Sequence, residues 1–237
     1  MKTNGGRIMH KRILGFIMGM LMMGTNVALA SDVYITQSGA SLSANINQDG
    51  TSNVMGTSGA KVTLTGDNQT LDIDQVGNSN TIAASVVGAT QTLTINQTGS
   101  TNTSTVSVGS NSAADDNSIV QTLTGSSNTT TVNVGNAAAS GDADIDLIVT
   151  GSSNTVTINE NSTATMIGSD KKVTAITAIG SSNTITSTHL GAGDMDTTLH
   201  HTGSSGTFAI TQDGANDGTV DIITVGSGHA VTVTVDD

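Results

Sequence analysis

Apolar and polar residues alternate with a period of two through most of this chain, and the clearest stretch runs from Gln69 to Asn102. There the unit Gln69-Thr-Leu-Asp-Ile-Asp-Gln75-Val-Gly77-Asn-Ser-Asn80 is restated 22 positions later as Gln91-Thr-Leu-Thr-Ile-Asn-Gln97-Thr-Gly99-Ser-Thr-Asn102. Alternation places Gln69, Leu71, Ile73 and Gln75 on one face of a strand and Thr70, Asp72 and Asp74 on the other. Gly77 ends that strand, and Asn80 to Gly88 supplies a second strand with its own closing glycine. Strand, turn, strand, turn is one coil of a solenoid.

Sixteen glycines from Gly39 to Gly226 close alternating segments in this way. Most lie about eleven residues apart, and the steps of 16 or 17 read as the same unit carrying extra loop residues. The expected fold is all-β, a two-strand-per-coil β-solenoid of about eight coils with about 22 residues per coil. A second signature, Gly-x-x-Asn, recurs at Gly50/Asn53, Gly77/Asn80, Gly99/Asn102, Gly125/Asn128, Gly151/Asn154 and Gly180/Asn183. Glycine and asparagine both suit the positive φ of a tight turn. The asparagines also share the parity of inward residues such as Val156 and Ile185, so amides one coil apart are expected to hydrogen-bond up the stack. Gln69, Gln75, Gln91 and Gln97 recur in the same register and join that expected ladder.

Residues 1–30 read as a separate object. Lys11 and Arg12 precede an apolar run from Ile13 to Met23, and Ala28-Leu29-Ala30 offers the small residues that a signal peptidase reads. The apolar run is short of the roughly 20 residues that a spanning helix needs. A cleaved signal peptide over 1–30, general secretory export and a mature domain over 31–237 are expected, with membrane contact only during export. Two starts are open, Met1 and Met9.

Composition narrows the picture further. Beyond residue 30 the only aromatics are Tyr34 and Phe208, and the whole chain has no Trp, Pro or Cys. A bulky globular core is therefore excluded, disulfides cannot staple the fold, and the regular Val, Ile and Leu positions argue against disorder. Three Lys and no Arg remain there against all 19 acids, which makes nucleic acid an unsuitable partner.

The pattern Gln69-x5-Gln75-x-Gly77-x-x-Asn80, repeated from Gln91 to Asn102, resembles the curlin repeat, Ser-x5-Gln-x-Gly-x-x-Asn. Ile35-Thr-Gln37-Ser-Gly39, Ile46-Asn-Gln48-Asp-Gly50-Thr-Ser-Asn53 and Ile210-Thr-Gln212-Asp-Gly214 are partial matches. The resemblance is strongest over residues 33–102. It implies a secreted subunit of curli, cross-β fibres of the bacterial surface used in adhesion and biofilm matrix. The matched Gln and Asn, with Gln37, Gln48 and Gln212 among them, would then be stacking positions. The partners it implies are further copies of the chain, a surface nucleator and an outer-membrane secretion pore. The opening Ser is replaced by Gln69 and Gln91, and the closing Gln by Leu123, Val149, Ala178 and His201 in later coils. Self-association is expected to run through the Gln-rich N-terminal coils, with Asp236-Asp237 as a partial gatekeeper at the other end.

Candidate chemistry is sparse. Asp142-x-Asp144-x-Asp146 opens like an EF-hand loop, but Leu147 and Ser153 stand where glycine and the bidentate Glu belong. Gly191-Ala-Gly193-Asp194-Met-Asp196 occurs once, whereas calcium β-rolls need tandem copies. His189, His200, His201 and His229 can approach one another across coils, although His200 and His201 point to opposite faces. No catalytic residue, metal site or cofactor is expected. The outward pairs Thr103/Thr105, Thr129/Thr131, Thr155/Thr157 and Thr184/Thr186 form a double file that resembles those of ice-binding solenoids. Exposed-strand preference alone also yields threonine there, so the expectation is a surface without ice specificity. A monomeric β-solenoid adhesin, or an ice-binding protein using that face, is the alternative to the fibre subunit.

Overall fold

The computed structural model describes residues 32–56, 62–88, 90–108, 117–135, 143–161, 171–191, 194–214 and 217–236. The signal-peptide reading of 1–30 lies outside them. In chain order the strands are β1 (Asp32–Val33), β2 (Thr36–Ser38), β3 (Ser43–Asp49), β4 (Ser52–Met55), β5 (Val62–Thr65), β6 (Gln69–Val76) and β7 (Ser79–Val87). They continue as β8 (Gln91–Thr98), β9 (Thr101–Val108), β10 (Asn117–Thr124), β11 (Ser127–Val134), β12 (Ala143–Thr150) and β13 (Ser153–Asn161). The last are β14 (Lys171–Ile179), β15 (Ser182–Leu190), β16 (Asp194–Gly203), β17 (Ser205–Asp213), β18 (Asp217–Gly226) and β19 (His229–Asp236).

From β5 onward successive strands alternate between the two sides of the solenoid, and each pairs, in parallel, with the strand one turn away. One sheet runs β3-β6-β8-β10-β12-β14-β16-β18, and the other runs β1-β4-β7-β9-β11-β13-β15-β17-β19 with β2 and β5 beside it. We call these the first and second sheets. Among the described residues there is no helix, and none long and apolar enough to cross a membrane. The described part of the chain is thus an all-β parallel solenoid.

The pitch departs from the expected 22 residues. The stacked file Gln48, Gln75, Gln97, Leu123, Val149, Ala178, His201 and Thr224 advances by 27, 22, 26, 26, 29, 23 and 23 residues, about 25 per turn. Six turns, from β6/β7 to β16/β17, carry full strands on both sides and buried interiors, fewer than the eight anticipated. The first level is broken into the short strands β1 and β2, and the last, β18/β19, is open to solvent. Extra residues enter between strands, where they do not disturb the ladder of stacked backbones.

Alternation does the packing. In the first sheet Leu71, Leu93, Ile119 and Ile145 stack as one buried file, and in the second Leu64, Val86, Val108 and Val134 do the same. The interior is a single interdigitated layer from each sheet, which explains why aliphatic residues suffice and aromatics are nearly absent.

Candidate functional site

The interior carries two amide ladders and one polar cluster. In the first ladder Asn53 Nδ2 donates to Asn80 Oδ1 at 3.2 Å, and Asn80, Asn102, Asn128 and Asn154 each donate to the next asparagine, ending at Asn183, at 2.9, 2.8, 2.8 and 2.7 Å. The same Nδ2 atoms reach the carbonyls that end the neighbouring strands, for example Thr98 O at 3.0 Å from Asn80. Every donor therefore has partners despite complete burial. In the second ladder Gln97 Nε2 donates to Gln75 Oε1 at 2.9 Å and Gln75 Nε2 to Gln48 Oε1 at 2.7 Å. It stops because Leu123 occupies the next position, which leaves Gln97 Oε1 without a partner.

Other predicted stacking residues serve differently. Gln69 and Gln91 do not join amide to amide; their Nε2 atoms cap turn carbonyls one coil away, Gly39 O at 2.6 Å and Gly66 O at 2.9 Å. Gln37 and Gln212 lie in the second sheet rather than in the Gln48 file: Gln37 stacks on Leu64, and Gln212 on His189. Their Ile-x-Gln-x-Gly context is that of Gln48, but a coil has two such turns and these two residues fall at the other one.

The turn glycines have a different cause from the one the sequence suggests. Positive φ is absent at Gly50, Gly77, Gly99, Gly125 and Gly151. A Cβ on Gly77, Gly99, Gly125 or Gly151 would instead run into the carbonyl oxygen of the glycine stacked one turn before it, and Gly180 carries both constraints, positive φ and the Gly151 carbonyl oxygen. Glycine is required by the close approach of successive turns.

The Asn ladder ends in an aromatic cluster. After Asn183 the file continues to Gly206 and His229. A Cβ on Gly206 would strike the Phe208 ring, so the missing side chain makes room for it. The rings of His201 and Phe208 lie 4.8 Å apart, as do those of His201 and His229. Burial pushes the His201 imidazole below the ordinary histidine range, and the neighbouring His229 pushes the same way, against a backbone contact from Gly180. His201 thus binds protons more weakly folded than unfolded. Its contribution to stability is full above about pH 6.5 and is lost as pH falls through the lower folded-state value. We expect the melting temperature to drop on acidification across that window, with His201→Leu flattening the dependence in thermal melts.

The polar cluster joins residues that sequence reading left separate. Glu160 and His189 side chains are almost wholly buried, with Glu160 Oε2 2.6 Å from His189 Nδ1. His189 Nε2 faces Ser187 Oγ at 2.7 Å and Thr197 Oγ1 at 3.1 Å. Gln212 Nε2 donates to Thr197 Oγ1 at 3.2 Å and to Met195 O at 2.9 Å, and Thr174 Oγ1 donates to Glu160 Oε1 at 3.3 Å. A carboxylate only accepts, so the tautomer that fits these contacts has the proton on Nδ1, toward Glu160, and Nε2 toward the two hydroxyls. Glu160 had a legible signal: it follows Asn154, Val156 and Ile158 in strict inward parity. Gln121, with Thr130 donating to its Oε1 at 2.6 Å, is a second buried pair with the same parity signal.

Of the suspected calcium residues, Asp144 and Asp146 project from the outer face of β12 and Asp142 lies outside the described residues. Burial and the nearby Asp146 raise the Asp144 carboxyl above its usual range. Among the described residues no group of three or more His, Cys, Asp or Glu is placed to hold a metal. Comparison with family models, curated proteins and solved structures finds no match to this chain.

Proposed function

We propose that the chain is a secreted structural subunit of a curli-like cross-β fibre at the bacterial surface, built by stacking solenoids end to end for adhesion and biofilm matrix. The observation that carries this reading is the open C-terminal level. Val231, Val233 and Val235 occupy the inward positions of Phe208, Ile210 and Gln212, yet are 47, 44 and 52 % exposed. Unpaired edges of β18 and β19 accompany them, and an uncapped edge templates addition of another strand. A second copy continuing the same register would set Ile46 on Ile222, Val33 on Val231 and Ser38 on Asp236. Apolar residues then meet apolar ones. Asp236 projects outward above Asp213 and meets no acid of the incoming copy at that position. The curlin-like repeat over residues 33–102 supports the same reading, with export through a surface pore and a nucleator as further partners.

Assembly tests it. The chain lacking residues 1–30 is expected to convert with time into dye-binding fibres of cross-β spacing, and Val231→Lys with Val233→Lys to lengthen the lag at least about tenfold, the effect of roughly 1.4 kcal/mol at the growing edge. A wild type that stays monomeric at high concentration overturns the fibre.

A monomeric surface binder would then take its place, and one observation favours it. The outer files of the second sheet that start at Ser79, Thr81, Ala83 and Ser85 run through six strands to Ser205, Thr207, Ala209 and Thr211. Every residue in them is Ser, Thr, Asn or Ala, while the other sheet carries Asp72, Asp74, Asp144, Asp146, Asp196 and Asp221 on its outside. Strand preference accounts for threonine but not for the absence of charge in so acidic a chain. Thermal hysteresis measured on the same monomer separates an ice-binding face from a plain adhesin.

A further inference from the structure

We propose that the buried cluster in turns β13 to β17 makes a covalent bond: an intramolecular ester between Thr197 Oγ1 and the side-chain carbonyl carbon of Gln212, formed once with His189 as base and Glu160 as its orienting carboxylate. This does not depend on the fibre reading. The files themselves point to chemistry. In the second sheet Leu64, Val86, Val108 and Val134 give way to Glu160, His189 and Gln212; facing them, Leu71, Leu93, Ile119 and Ile145 give way to Thr174 and Thr197. Aliphatic residues filled the earlier positions, and a buried carboxyl–imidazole pair seldom improves on them in stability. What the polar set adds is a nucleophile, a base, an orienting group and an acyl group in contact.

The geometry assigns the roles. His189 Nδ1 is held by Glu160 Oε2 at 2.6 Å, which turns Nε2 toward the hydroxyls of Ser187 and Thr197, and the proton it takes is that of Thr197 Oγ1, 3.1 Å away. Oγ1 in turn accepts a hydrogen bond from Nε2 of Gln212 at 3.2 Å, so the carboxamide is its immediate neighbour, and a turn of the Gln212 amide that releases this bond brings the face of Cδ to Oγ1 for attack. Attack forms the Oγ1–Cδ bond and moves the carbonyl electron pair onto Oε1. Collapse breaks the Cδ–Nε2 bond, with the proton held by His189 passing to the departing nitrogen. One hydroxyl and one carboxamide become one ester and one ammonia, and nothing is oxidised or reduced. Ser187 Oγ also faces Nε2 at 2.7 Å but has no bond to Gln212, so Thr197 is the nucleophile. Gln212 Oε1 has no hydrogen-bond donor, which makes the step slow. A single turnover needs no more, because the two groups are held as neighbours throughout the life of the fold and the dry interior shields the product from hydrolysis. The bond would staple β16 to β17, joining the two sheets in a chain with no cysteine.

Intact mass and fragment mapping of the full chain, purified folded, decide the matter. Phe208 lies between the two residues in sequence, so chymotryptic cleavage after it separates Thr197 from Gln212 unless they are bonded. The expected wild type lacks the mass of one ammonia and yields a branched peptide joining Thr197 to Gln212, split by alkaline hydroxylamine. Thr197→Val, close in shape, should keep the strand signature in circular dichroism, regain the full mass and give separate fragments; Thr197→Ser should restore the branch. The proposal is overturned by wild-type protein that keeps its full mass and cleaves apart after prolonged warming, by a mass loss that persists in Thr197→Val, or by a branch that maps to Ser187.

Discussion

Gly125→Val is expected to cost more than about 4 kcal/mol, enough to prevent the central turns from stacking. Successive turns approach so closely at the glycine file that a Cβ on Gly125 meets the Gly99 carbonyl oxygen, with Asn102 Nδ2 and Asn128 Oδ1 each 3.0 Å away. Moving the backbone to relieve that clash would pull Asn128 from Asn102 and Asn154, because the ladder bonds are only 2.8 Å long. Steric and hydrogen-bond losses therefore add rather than trade. Ser126 sits in the same turn with an exposed side chain, and Ser126→Ala should stay within about 0.5 kcal/mol. Denaturant midpoints of the two variants check the contrast. Equal midpoints would mean that the turns separate without disturbing the ladder.

His189→Leu is expected to destabilise by about 3–5 kcal/mol, since it leaves the Glu160 carboxylate buried without its imidazole. Thr174 Oγ1 remains as a donor at 3.3 Å, too little to replace the bond of 2.6 Å. The double change Glu160→Leu with His189→Leu should recover most of that loss, because it extends the aliphatic file of Val108 and Val134 by two levels. Glu160→Leu alone completes the cycle, and Thr197→Val serves as the parent for all three variants, so that no covalent link contributes to the difference. Thermal unfolding of the series reads the coupling directly. A double variant as unstable as the single one would show that the pair does more than satisfy its own hydrogen bonds.

The sequence by itself determined the strands, their inward faces and the parallel stacking of the clearest coils, because a period of two is a local property of pleated backbone. Pairing of Gln69 with Gln91, Gln75 with Gln97 and Asn80 with Asn102 follows from one repeated segment without insertions. The pitch elsewhere was hidden by residues such as 109–116 and 136–142 between strands, which change spacing along the chain but not stacking order. Only the tertiary structure decided that Gln212 belongs with His189 instead of Gln75, since the same short motif serves both turns of a coil. It also decided why glycine is needed at Gly77 or Gly125, a matter of distance to the neighbouring turn and not of φ. Glu160, His189, Thr197 and Gln212 come from four strands, 52 positions from first to last, and meet because each turn returns the chain to the same two sheets. Parity marks each as inward; which inward residues face one another across the core depends on the lengths of the intervening loops, and no local pattern carries that information.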